Sequence, residues 1–420
     1  VPIARRLARV LAVPETRDAR VFAVAAVVDA LGNGLFLPIT ALFFVKVVGL
    51  PVTRVGLGLS ITGVVGLAGP ILGGPLIDRY GPRRVGVALM WLRALTFASY
   101  PLVRGFLPFV LLASATNLMD TMARPAMQAL MATLADEKDR VTTLAFVRSV
   151  RNIGYGVGGL LVSAALALGG KGPYVGLVLG DAVTFAVAGV VLTRVRDTRA
   201  PRVPGPATGY AVVLRDRRFL ALGALHGVLS LNLSILLFGF PLWIDQRTNA
   251  PTWVAGTIFA VNSALVVLLQ VPFSRRAVTV ADGGRALRHC GFALLVTCVL
   301  LALTPGLPAL AAAVLLVLIG VVECGAEIWH AAGGWAISLG LAPPEARGRY
   351  LGVWQLGFAV HDIGGPAIIG FVVARGGRVS WLVLGVVLAV TGVAVSALAA
   401  SAPGTTSAVP EVAEPAGDVA

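Results

Sequence analysis

Apolar runs of about 20 residues, the length needed to cross a hydrocarbon core, recur along the whole chain, separated by short clusters of charge. Twelve such runs can be read. Within each run the apolar residues are continuous rather than alternating, which excludes a membrane β-barrel and leaves helices, whose backbone groups bond internally. A chain of 420 residues that is 57% hydrophobic and only 13% charged does not compose a soluble globular domain. The expected fold is therefore all-α and polytopic.

The net charge of +14 raises the question of nucleic acid, and its distribution answers it. With a cytoplasmic N-terminus, 25 of the 34 Lys and Arg fall at that terminus, in the even-to-odd loops or at their flanking helix ends. Seven lie in the opposite loops (Lys46, Arg54, Arg104, Lys171, Arg247, Arg375 and Arg378), and only Arg93 and Arg124 lie inside helices. This is positive-inside bias, which predicts cytoplasmic ends, with lipid rather than nucleic acid as the macroscopic partner. The preference for Arg over Lys, with abundant Ala, Val and Gly, suggests a GC-rich bacterial source and hence an inner membrane. Cys290, Cys298 and Cys324 all fall on apolar segments and read as small core residues. Arg5, Arg6 and Arg9 read as a cytoplasmic lead-in, not a cleavable signal.

In order, the helices are expected near residues 21–45, 55–77, 84–103, 107–134, 141–168 and 173–193, then 219–244, 252–273, 287–304, 307–338, 350–374 and 380–400. Residues 1–20 precede the first. Residues 194–218, with Pro201, Pro204 and Pro206 among seven arginines, read as a linker between two six-helix halves, 21–193 and 219–400. The segment 401–420 reads as a disordered cytoplasmic tail.

Between the second and third runs stands Gly74-Pro75-Leu76-Ile77-Asp78-Arg79-Tyr80-Gly81-Pro82-Arg83-Arg84. It reads as a short, sharply turned loop: Gly74 for close helix packing, Gly81 for a positive φ, and Asp78, Arg79, Arg83 and Arg84 as cytoplasmic polar anchors. The spacing G-x-x-x-D-R-x-G-x-R-R resembles the signature loop of the major facilitator superfamily. That resemblance implies twelve helices in two pseudo-symmetric six-helix bundles, with Asp78 latching the halves together against the start of the eleventh helix and a neighbouring arginine, Arg140 or Arg148. Arg275, Arg276 and the Asp282-Gly283-Gly284-Arg285 turn look like a decayed second copy.

The halves align at an offset of 207 residues: Arg140 falls on Arg347, Leu144 on Leu351, Gly158 on Gly365, and Gly169-Gly170 on Gly376-Gly377. Self-similarity at half the chain length indicates a duplicated unit, as in parallel-repeat transporters. The same offset places Asp120 on Glu327, each roughly 21 Å from its cytoplasmic helix end at 1.5 Å per residue.

Gly154-Tyr155-Gly156-Val157-Gly158-Gly159 resembles the fifth-helix motif of drug/proton antiporters in that superfamily, with Tyr155 in place of its proline; Gly365 and Pro366 belong to the eleventh-helix copy. Close helix packing through small residues is the competing reading. Arg124-Pro125-Ala126-Met127-Gln128 looks like the fourth helix of macrolide-type efflux relatives.

An ionised acid inside a membrane is costly, so such residues pair, line cavities or bind protons. The candidates for proton coupling and the substrate cavity are Asp29, Asn33, Arg93, Asp120, Arg124, Asp181, Glu323, Glu327, His361 and Asp362. Asp120 and Arg124, four apart, suit an intrahelical ion pair. Asp29 and Asp362 have no base on their own helix, and Glu323 reads as lying one turn further out than Glu327, where it could be an outer cavity residue. Several acids with few fixed bases favour cationic or neutral substrates.

No P-loop is possible, since Gly170-Lys171 is followed by Gly172, and no zinc spacing or enzymatic constellation stands out. No cofactor and no metal are expected. The expected function is proton-driven secondary transport of a small molecule by a monomer, as export of hydrophobic or amphipathic compounds. Nutrient import on the same fold, or a non-transporting receptor, are the alternatives.

Overall fold

The computed structural model describes residues 16–132, 134, 140–196, 211–274, 277–343 and 346–401. The N-terminal lead-in, most of the linker, Arg275, Arg276 and all but the first residue of the tail lie outside the described residues, as does the Arg140 side chain. Among the described residues every regular element is helical.

Among the described residues, eleven helices are long and apolar enough to cross a membrane. In chain order with the remaining one they are α1 (Arg17–Lys46), α2 (Val52–Tyr80), α3 (Pro82–Leu102), α4 (Phe106–Ala132), α5 (Arg140–Ala167) and α6 (Gly172–Leu192). The second group is α7 (Arg217–Arg247), α8 (Val254–Ser274), α9 (Val280–Leu303), α10 (Ala309–Leu341), α11 (Arg349–Arg375) and α12 (Gly377–Ala400). The apolar part of α8 is the shortest, Val254–Gln270. Large apolar side chains face outward all along these helices, Leu95 at 66% exposed, Leu107 at 66% and Leu310 at 78% among them, as a lipid-facing surface requires.

Within the first group α1 packs on α5 and α6, and α3 on α4 and α6; within the second, α9 packs on α10 and α12. The groups meet along two seams, α2 with α11 and α5 with α8. These are the two six-helix bundles of the expected fold.

Prolines shape the helices that face the centre. α1 tightens to a 3₁₀ turn at Leu37–Ile39 around Pro38. α7 and α11 each open into a π turn, Ile235–Gly239 and Val360–Gly364, just before Pro241 and Pro366, whose rings supply no N–H to the ladder. α2 breaks at Leu67–Ala68, and its second segment, Gly69–Tyr80, begins with a proline in the first turn.

That second segment corrects one expectation. Gly74 to Tyr80 form helix, and the turn into α3 is the single residue Gly81, at φ +86°. The positive φ is as expected and fits only glycine comfortably. Gly74 does not serve close packing, since no atom lies within 4 Å of where its Cβ would be. Arg83 caps the end of α6, donating to the carbonyls of Thr193 (2.9 Å) and Val195 (3.0 Å). In the second half, Asp282 forms a capping box with Thr279 at the start of α9 and pairs with Arg285.

The glycine motifs pack helices. A Cβ on Gly154 or Gly158 would press on the backbone of α1, at Val27 O (2.8 Å) and Gly34 C (2.6 Å) respectively. Gly159 faces Gly256 of α8, and a Cβ on Gly256 would lie 2.7 Å from the Gly159 carbonyl oxygen. The α5 motif therefore does structural work on both sides, including one seam between the bundles. Across the other seam, Gly370 of α11 approaches Gly56 of α2. Gly365 lies against Ser234 of α7.

Candidate functional site

Asp29 and Asn33 share one face of α1 because they stand four residues apart. Asn33 turns its amide back to the Asp29 carbonyl (2.7 Å), which leaves both side-chain oxygens facing α3. From α3, the buried Arg93 donates to Asp29 Oδ1 (3.3 Å) and Asn33 Oδ1 (3.4 Å), and reaches Asp120 Oδ1 on α4 (3.1 Å). Its guanidinium also lies 3.9 Å from the Phe185 ring centroid of α6. Asp120 is held again from its own helix by Arg124 (3.0 Å), the expected i,i+4 pair. From α5, Arg151 approaches Asp29 Oδ2 at 3.8 Å and donates to Tyr155 Oη at 3.0 Å. Four helices are thus tied by two acids and three arginines.

The acid of α1 that lacks a base on its own helix therefore has one from each of two neighbouring helices. Arg151 and Tyr155 were not among the sequence candidates for the site. Their signal was position: Arg151 stands where a helix should be apolar, one turn before Tyr155.

This cluster lines a cavity of about 540 Å³ that continues, past Asn33, Leu37, Arg93, Asp120 and Arg124, into a second of about 310 Å³. The second cavity has walls from both bundles: Phe44, Thr62 and Asn117 on one side, and Phe238, His361, Asp362 and Pro366 on the other. The π turn of α11 presents His361 and Asp362, with Nε2 3.8 Å from Asp362 Oδ1, and His361 Nδ1 shares a 2.6 Å hydrogen bond with Ser234 Oγ of α7.

A third cavity, about 330 Å³, lies in the second bundle and is lined by Glu327, Trp335 and Trp354, by the parallel rings of His226 and His330 (centroids 4.1 Å apart), and by Arg148 of α5. Arg148 thus stands beside Glu327. Asn262 of α8 donates to Glu327 Oε2 at 3.0 Å and to Glu323 Oε2 at 3.3 Å.

Two candidates fall outside these cavities. Asp181 is fully buried on α6, where Thr184 donates to it (3.2 Å). Glu323 is fully buried too, so it is no outer cavity residue; it points toward α8 rather than into these cavities. The balance of charge also departs from expectation. Asp29, Asp120, Asp362 and Glu327 line the cavities, and so do Arg93, Arg124, Arg151 and Arg148. Bases match acids, and the argument for cationic substrates from scarce bases fails. Among the described residues no group of His, Cys, Asp and Glu is arranged to hold a metal ion.

The sequence profile of the Major Facilitator Superfamily matches residues 22–328. Multidrug resistance protein MdtH of Aeromonas salmonicida is 29% identical over 365 residues, covering 85% of this chain and 89% of that protein. MdtH of Aeromonas hydrophila is 28% identical over 372 residues, with the same coverage. Among solved structures, a mutant of the nucleoside transporter NupG superposes with a TM-score of 0.76 at 16% identity, over 91% of this chain and 99% of that one.

Proposed function

Because the chain belongs to the Major Facilitator Superfamily, we propose that it is a proton-coupled exporter of hydrophobic or amphipathic small molecules, working by alternating access. The observation that carries this reading is the cavity walled by both bundles and continuous with the ion cluster of Asp29, Arg93 and Asp120. A compound held there touches both bundles at once, so a change in how they meet changes its affinity and its exit. Relatives named as multidrug resistance proteins support export. Matched acids and bases along the cavity give no preference for net charge, which suits a site selecting chiefly by shape and apolar area. By the positive-inside rule the arginine-rich N-terminal segment and the linker at 194–218 lie in the cytoplasm, with the Gly81 turn on that side.

Uptake of ethidium from the medium into everted membrane vesicles, whose outer face is the cytoplasmic one, tests it. A proton gradient should drive ethidium transport, a protonophore should abolish it, and Asp29→Asn, Asp120→Asn and Asp362→Asn should each weaken the dependence on the gradient. Full proton dependence in all three variants sinks the reading of those acids. Flux in the opposite direction would favour nutrient import on the same fold.

A further inference from the structure

The first and third cavities are copies of one another. At the 207-residue offset, the lining residues Asp120, Ala123, Arg124, Gln128 and Arg151 of the first fall on Glu327, His330, Ala331, Trp335 and Phe358 of the third. The acid is retained while the arginines are not: Arg124 corresponds to Ala331, Arg151 to Phe358, and Arg93 to Leu300. One duplicated cavity has its carboxylates locked by guanidinium groups of the same bundle, and the other has its carboxylate without them.

What the second copy has instead is a second acid and a shared amide. The side-chain NH₂ of Asn262 donates to both Glu323 and Glu327. Glu323 is fully buried, and its Oε1 has no hydrogen-bond partner among the described residues. Neither glutamate forms an ion pair within 4.0 Å there. Two carboxylates that share one neutral donor, one of them fully buried, cannot both carry charge at acceptable cost. From this arrangement we propose that Glu323, Asn262 and Glu327 form a proton-binding site, with Glu327 exchanging the proton with the cavity and Glu323 closing the site from within. The step is simple: a proton adds to a carboxylate oxygen of the pair, and leaves from it again.

The other groups facing the pair fit that role. On its own helix, Cys324 contacts the Asn262 carbonyl (3.8 Å), and His330 stacks on His226 of α7. Cys290 of α9 faces Glu323. Among the described residues the one fixed cation lining the cavity is Arg148, and it comes from the opposite bundle. When the bundles rock, Arg148 moves relative to Glu327, so its approach favours proton release and its withdrawal favours uptake. The site thereby gains a dependence on how the bundles are arranged. The link to transport rests on the proposed export function; proton binding itself does not.

Infrared spectroscopy of the purified protein in phosphatidylcholine vesicles tests the site without a substrate. The wild type should show the carbonyl stretch of a protonated carboxylic acid at neutral pH, shifted in deuterium oxide. Glu323→Gln or Glu327→Gln should remove the pair's component of it, read as a difference from the wild type because the buried Asp181 contributes equally to both, while Asp29→Asn and Asp120→Asn should keep that component. Asn262→Ser, which withdraws the shared donor and leaves both acids, should move the band. Persistence of an unaltered band in both glutamine variants, or its loss in Asp120→Asn, overturns the proposal. Where the band behaves as expected in a protein that moves no ethidium, the site stands and the export reading falls.

Discussion

Lys46 Nζ at the end of α1 lies 2.6 Å from Asp245 Oδ1 at the end of α7, and the Asp245 side chain is only 2% exposed. The pair joins the two bundles at the end opposite Gly81. Asp245 is shielded from water, so this contact is more than a rim ion pair. Lys46→Asp should slow ethidium transport about tenfold, in line with coupling energies of ~1.5 kcal/mol or more for close shielded charges. Lys46→Asp combined with Asp245→Lys should restore most of the rate. Failure of the swap to rescue would show that the contact does not help close that end.

Arg93 is the buried hub of the ion cluster, 3% exposed with two acids and one amide around it. Removing it leaves Asp29 and Asp120 facing each other with only peripheral bases. Arg93→Leu is expected to cost about 3–5 kcal/mol, the range for breaking a buried pair from one side. Adding Asp29→Asn to Arg93→Leu should recover part of that loss. Thermal unfolding in detergent, followed by tryptophan fluorescence, measures both.

Gly74 and Gly81 make opposite predictions although both belong to the same signature stretch. Gly74 sits inside a helix with open space around it, so Gly74→Ala should be neutral or stabilise by about 0.5–1 kcal/mol. Gly81 holds φ at +86° in a one-residue turn, and Gly81→Ala should destabilise by about 1–2 kcal/mol. Equal melting temperatures for the two variants would contradict this assignment.

The α5–α8 seam offers a steric test. A Cβ at Gly256 meets the Gly159 carbonyl oxygen at 2.7 Å and Ser163 N at 2.6 Å, both backbone atoms that cannot turn aside. Gly256→Val should therefore force the bundles apart, lowering thermal stability and abolishing ethidium transport. Gly172→Val, at a position with nothing within 4 Å, is the matched control and should leave both unchanged.

The fold was readable from the sequence because a membrane helix is a local property: length, apolarity and flanking charge decide it. The Asp120–Arg124 pair was readable for the same reason, since i,i+4 spacing fixes the contact within one helix. The Asp29–Arg93 pair joins residues 64 apart, and it depends on how α1 and α3 are rotated about their axes, which no local pattern records. The same rotation hides Asp181 and Glu323 from the cavities and turns Arg148 and Arg151 toward them. The break at Leu67–Ala68 leaves no mark in hydropathy because the apolar run continues across it, although Pro70 marks the restart.

Asn262 meets two glutamates with the same end of its side chain. Turned by 180° about its last bond, that side chain would offer both acids a carbonyl oxygen, which they can meet only with hydrogens of their own. The amide is thus a pointer with two settings: the amino setting meets any carboxyl oxygen with a free lone pair, and the carbonyl setting requires both acids to be protonated. Only an amide turned the second way would report that both of its neighbours carry a hydrogen.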